Sequence, residues 1–265
     1  MSERKAFTLI ELLVVIAIIA LLLAVLLPGL RMVKEHAKVV VCSTRLNQIG
    51  KAVNMYSDMF NGYLPDDHDT GGGSWYHAYA VYRDSQVLDS GKLKPFRFAY
   101  LYELNLIEVP EMFYCPGNKN TLFKYESYSN PAPWGTLPQD WNTLDENGGS
   151  HNQWVRIGLT YYPLKSGAKS PEDLASRFIN LNPFLPYTTD VVHHLSEDGI
   201  AHSYGGKYKL NALFPDGHVI SASDQKIFDD DQYTDTIKPW DLLDHIGETK
   251  DYYIAYYQIF RAIGQ

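Results

Sequence analysis

The sequence predicts an α+β protein in which a long N-terminal α-helical spine, membrane-spanning in its first half and amphipathic in its second, packs on a globular head of antiparallel β-sheet. Three observations carry that prediction. An apolar run of 21 residues extends from Phe7 to Leu27, a helical stripe of apolar residues continues it to Phe60, and short β-like runs separated by turn-rich stretches follow Pro65. Composition bounds the rest. The 23 Lys and Arg face 31 Asp and Glu, a net charge of −8 that argues against a nucleic-acid partner. Apolar residues make up 45% of the 265, with 20 Tyr, 11 Phe and 5 Trp, enough bulk to exclude wholesale disorder. The two cysteines, Cys42 and Cys115, form no CxxC pair, which excludes a disulfide-dense scaffold, a zinc ribbon and a c-type haem.

The first element is the apolar run FTLIELLVVIAIIALLLAVLL, whose sole charge is Glu11. At about 1.5 Å per residue it spans roughly 30 Å, one hydrocarbon core. Leu27-Pro28-Gly29-Leu30-Arg31 offers no small-x-small cleavage site, so a conventional secretory signal is not indicated. A plain anchor does not explain Glu11, because a carboxylate inside a spanning helix costs on the order of 2.5 to 3.5 kcal/mol and so requires a partner. Arg4 and Lys5 precede the run, whereas Arg31, Lys34 and Lys38 follow it. By the positive-inside count alone the head would lie in the cytoplasm.

The second element is the continuation. Leu30, Val33, Ala37, Val40/Val41, Cys42, Leu46, Ile49, Val53, Tyr56 and Phe60 fall at steps of mostly three and four, tracing one helical face. Asn61-Gly62 is the expected stop. Pro28 removes a backbone donor, which predicts a bend or a local loss of helix there. Beyond Pro65 the β-like runs are Trp75 to Tyr82, Phe96 to Tyr102, Trp154 to Tyr162, Ile200 to Tyr208, Lys209 to Phe214 and His218 to Ala222. Asp216-Gly217 between two of them is a hairpin-turn signal.

Residues Met1 to Leu30 resemble the type III signal of type IV prepilins and type II secretion system pseudopilins: a short basic leader, MSERKA, then Phe-Thr-Leu-Ile-Glu-Leu-Leu from Phe7 to Leu13 and a long apolar run. In that family a membrane prepilin peptidase cuts before the Phe and methylates the new amine, so the resemblance implies processing between Ala6 and Phe7. Glu11 then becomes the fifth mature residue and Pro28 the twenty-second, positions at which pilin-like subunits carry those residue types for assembly. Ala6 departs from the usual Gly. Cys42 to Pro65 resembles the second half of the spine of large H-x9-DG-type pseudopilin-like proteins, with Arg45-Leu46-Asn47-Gln48-Ile49-Gly50 in slightly altered order. Phe113-Tyr114-Cys115-Pro116 and Gly206 to Val219 resemble further elements of the same proteins. His202, however, is separated from Asp216 by 13 residues instead of nine.

The resemblance implies a pilin-like fold divided into a leader (1–6), a transmembrane or filament-core helix (7–30), the amphipathic half of the spine (31–62) and a head (63–265). It further implies a single-pass inner-membrane protein with its head in the periplasm, then a place in a pilus or pseudopilus, up to the cell surface. Implied partners are the prepilin peptidase, the inner membrane, and copies of itself and other pilin-like subunits in a filament. Export takes Cys42 and Cys115 to an oxidising compartment, where the stripe cysteine and the loop cysteine are candidates for one disulfide; two buried free thiols are the alternative.

No G-x-S-x-G, G-x-G-x-x-G or HExxH occurs, and Gly205-Gly206-Lys207 is not a P-loop, so no enzyme chemistry is indicated. Imidazoles His193, His194, His202 and His218 with Asp190, Asp198 and Asp216 are candidate metal ligands, against the plain reading of turn and surface histidines. Asp229-Asp230-Asp231 with Asp235, and Asp66-Asp67 with Asp69, are candidate Ca²⁺ loops, since resembling pseudopilins bind calcium in a C-terminal loop. Neither has EF-hand spacing, and a solvated acidic loop is the plain reading. A membrane-tethered periplasmic enzyme or carbohydrate-binding module, prompted by the Trp and Tyr content of the head, is the rival to a structural filament subunit.

Overall fold

The computed structural model describes residues 9–65, 78–87, 93–128, 134–135, 154–170, 173–192, 199–229 and 249–264. The architecture is α+β: a long N-terminal apolar helix and antiparallel sheets. The chain divides into two compact units, Met1–Ala37 and Lys38–Gln265. Helix α1 runs Leu9–Met59 without a break, so the local loss of helix expected at Pro28 does not occur. The pyrrolidine ring fixes φ near −65°, which an α-helix accepts; what is lost is one hydrogen bond. Asn61 and Gly62, at φ 52° and 84°, end the helix, and the Gly62 N–H donates to the Ser57 carbonyl at 2.7 Å.

Within the second unit, Val39, Cys42, Leu46, Ile49, Ala52, Val53 and Tyr56 of α1 are buried. Above Cys42 the buried position is Val39; Val40 and Val41 are exposed, because a three-residue step back from Cys42 stays on the buried face. Strands β1 (Ala80–Val87), β2 (Leu93–Pro95) and β3 (Trp154–Arg156) form a three-stranded antiparallel sheet in the order β2-β1-β3. Strands β4 (Leu159–Tyr161), β5 (Thr188–Asp190), β6 (His202–Tyr204), β7 (Lys207–Leu213) and β8 (Val219–Ala222) form a second, with β7 paired to β5, β6 and β8. The β7–β8 hairpin turns at Asp216-Gly217, Gly217 lying at φ 88°.

Residues Phe96 to Tyr102, expected as a strand, instead lead into helix α2 (Ala99–Glu103). Ala99 and Leu101 of the helix, and Phe98 at its N-cap, are buried. The run Trp154 to Tyr162 is split between the two sheets at Ile157-Gly158. A C-terminal helix, α3 (Thr249–Ile263), buries Ala255, Tyr256, Ile259, Phe260 and Ile263 against Val192, Leu210, Ala212 and Ala222. The larger core joins Leu46, Ile49, Val53 and Tyr56 of α1 to Val81, Tyr82, Val155, Leu159, Tyr161 and Leu213.

Candidate functional site

Two features stand out, one in each unit. In the first, α1 contains a stretch long and apolar enough to cross a membrane, none of it buried within the protein. Leu, Ile and Val side chains from Leu9 to Leu27 are exposed on every side, with Glu11, also exposed, in the first turn. Covering a Leu or Ile side chain is worth about 1.5 to 3 kcal/mol, so this surface calls for lipid or other apolar helices. Ala6 and Phe7 lie outside the described residues.

In the second unit, Cys42 on α1 and Cys115 are joined in a disulfide across 73 residues, with Cα atoms 5.5 Å apart. Cys115 follows a short 3₁₀ turn, Pro110–Phe113. One helical turn beyond Cys42, the Arg45 guanidinium donates to the Glu111 carbonyl at 2.9 Å and to the Tyr114 carbonyl, clamping that segment to the helix. Removal of the guanidinium from water lowers its pKa.

Against the disulfide sit Asp190 at the end of β5 and His202 at the start of β6, both buried. His202 Nε2 is 3.3 Å from Cys115 Sγ and 3.2 Å from Asp190 Oδ2. Asn211 on β7 ties the group together. Its backbone N–H donates to Asp190 Oδ2 at 2.9 Å, and its amide nitrogen donates to the Val39 carbonyl of α1 at 3.1 Å while lying 3.3 Å from His202 Nε2; its amide oxygen accepts from Ser221 Oγ. Gly117 allows the ring to lie where it does, since a Cβ there would stand 2.5 Å from His202 Nδ1.

His202 pairs with Lys209, Ser203 with Tyr208 and Tyr204 with Lys207 across the β6–β7 hairpin, and His202 is buried. The other candidates are not brought together. His218 is exposed on the β7–β8 turn, where its Nδ1 lies 2.5 Å from Asp216 Oδ1 and its ring stacks on Phe214 at 4.4 Å. The backbone N–H and ring of His218 hold the Asp216 carboxyl below its usual range. Asp229 is exposed after a 3₁₀ turn, Gln225–Phe228. Asp230, Asp231, Asp235, Asp66, Asp67, Asp69, His193, His194 and Asp198 lie outside the described residues. Among the described residues, the one grouping of three or more potential metal ligands is Cys42, Cys115, Asp190 and His202, so His202 joins neither His218 nor Asp229. Asn211, not singled out from sequence, was visible as a polar residue inside the apolar strand Leu210 to Phe214.

Among the described residues of the head, Trp134 and several tyrosines are packed in the core. Trp134 is buried, stacked on Phe113 at 5.5 Å, and its indole N–H donates to the Tyr114 hydroxyl at 3.0 Å. Tyr82, Tyr161, Tyr162 and Tyr187 are fully buried.

Residues 1–27 match the prokaryotic N-terminal methylation motif. The chain is also 48% identical over 63 residues to the type IV wide pilus major component PilA4 of Thermus thermophilus. The chain is type IV prepilin- or pseudopilin-like. The match to the Thermus protein covers 24% of this prepilin-like chain and about half (48%) of that relative. No solved structure matches the chain.

Proposed function

We propose that this prepilin-like chain is a structural subunit of a type II secretion pseudopilus or a type IV pilus-like filament. On this reading it is made as a precursor, inserted in the inner membrane with its head in the periplasm, and cut and methylated between Ala6 and Phe7 by a prepilin peptidase. The divisions are then 1–6 leader, 7–30 filament-core helix, 31–62 amphipathic spine and 63–265 head. The observation that carries the reading is the exposed apolar stretch from Leu9 to Leu27 with Glu11 as its one acid, lying in the segment that matches the methylation motif. The Thermus relative is itself the major component of a wide pilus, which supports a filament over a solitary anchor and a structural role over an enzymatic one.

Cleavage after Ala6 creates an α-amine at Phe7 with a pKa of roughly 7.7 to 8.0, cationic for the most part at neutral pH. A carboxylate at the same depth among apolar helices is stable only beside a cation, because an unpaired charge there costs several kcal/mol. Glu11 of one subunit with the Phe7 amine of its neighbour satisfies both and sets the axial stagger between helices. The test is Glu11→Gln. The variant inserts and is cut, because the peptidase reads the junction, and it is lost from sheared filaments pelleted by ultracentrifugation. Wild-type recovery in the pellet refutes the pairing.

A further inference from the structure

We propose that Cys42, Cys115, Asp190 and His202 form a Zn²⁺ site that replaces the disulfide whenever the two cysteines are reduced. The four ligand atoms lie within 4.8 Å of one another and all four residues are buried. They come from separate parts of the fold: α1, the segment after the Pro110–Phe113 turn, β5 and β6. Tetrahedral zinc with Zn–S bonds of about 2.3 Å and Zn–N or Zn–O bonds of about 2.0 to 2.2 Å has ligand-to-ligand edges of roughly 3.3 to 3.8 Å. The contacts of His202 Nε2 with Asp190 Oδ2, 3.2 Å, and with Cys115 Sγ, 3.3 Å, already have nearly that length. The two bonded sulfurs must part to the same spacing.

The hydrogen bonding of the oxidised cluster is incomplete in a way that a cation corrects. His202 Nδ1 and Asp190 Oδ1 are buried and have no hydrogen-bond partner. Nε2 faces a donor, the Asn211 amide, and an acceptor, Asp190 Oδ2, at nearly equal distance. With the proton on Nε2 the ring faces the Asn211 N–H with a second N–H; with the proton on Nδ1 its lone pair faces a carboxylate. Either neutral tautomer of His202 therefore leaves a buried polar atom mismatched. A divalent cation between Nε2 and the carboxylate uses both as acceptors. Two thiolates with one imidazole and one carboxylate are a set that suits Zn²⁺.

The chemistry balances. A dithiol reductant supplies two electrons and two protons, the Cys42–Cys115 bond breaks, and the reductant becomes its own disulfide. Metal binding then displaces the two thiol protons to solvent. A disulfide oxidant takes the two electrons back, the Cys42–Cys115 bond re-forms and the metal leaves for solvent, so the head has two alternative staples between α1 and the Cys115 segment.

The probe is Co²⁺, titrated into the full-length chain in detergent after phosphine reduction and anaerobic desalting. The reduced chain takes up one Co²⁺, with sulfur-to-cobalt charge-transfer and tetrahedral d–d bands that Zn²⁺ abolishes, and the oxidised chain takes up none. His202→Gln and Asp190→Asn, separately, weaken Co²⁺ binding by more than about tenfold and change the d–d bands, as loss of a ligand requires. A reduced chain that takes up no Co²⁺, folded or not, overturns the proposal. So does a cobalt spectrum that both variants leave unchanged, which would mean that the thiols bind without the pocket.

Discussion

Replacing both cysteines by alanine removes the covalent link between α1 and the Cys115 segment, and the size of the loss follows from the loop it closes. With the two positions 73 residues apart in sequence, the chain-entropy relation gives about 4.4 kcal/mol at 25 °C. At about 2 to 4 °C per kcal/mol for a domain of this size, the head of Cys42→Ala/Cys115→Ala should melt roughly 9 to 18 °C below the oxidised wild type. Near-UV circular dichroism in detergent with a chelator present reports this directly, because Trp134 stacks on Phe113 two residues before Cys115. Each single variant breaks the same bridge. Cys42→Ala, Cys115→Ala and the double variant should therefore melt close together. A double variant within about 2 °C of wild type, or single losses that add, would refute the reasoning.

Asn211→Ala leaves the Val39 carbonyl and Ser221 hydroxyl without the amide they now face, and should destabilise the head by about 1 to 3 kcal/mol in denaturant titration; a change below about 0.5 kcal/mol would show that the amide is not a structural tie. Acid sensitivity should come in part from Asp173, whose carboxyl is held below its usual range by Lys165 and by the backbone N–H groups of Lys169 and Ser170. Its folded pKa is depressed, so its contribution is complete above the unfolded value of about 3.9 and is lost as pH falls through the folded value. Asp173→Asn should accordingly melt below wild type at neutral pH, with the gap closing under strong acid; a gap independent of pH contradicts that assignment.

The spine was legible in the sequence because its signals are local and redundant: an unbroken apolar run, a stripe with period near 3.6 and an Asn-Gly stop. The β7–β8 hairpin was legible for the same reason, through Asp216-Gly217 between two apolar runs. Helix α3 was not read, since Tyr252, Tyr253, Tyr256 and Tyr257 favour strands by propensity and only the spacing of Ala255, Ile259, Phe260 and Ile263 reveals a helical face. Phe96 to Tyr102 failed in the same direction. His202 and Asp190 were visible as residue types, but the meeting of His202 with Cys115 is a tertiary contact between residues 87 apart, which no local pattern encodes. Asn211 was masked by its apolar neighbours, although one amide inside a buried strand implies a buried polar partner.

The account rests on this chain being a processed filament subunit, and an intact mass tests that most directly. After co-expression with a prepilin peptidase, the account predicts a chain that begins at Phe7, lighter by Met1 to Ala6 and heavier by one methyl group. A chain that keeps Met1 to Ala6 in the presence of an active peptidase would contradict it and leave the apolar helix as a membrane tether.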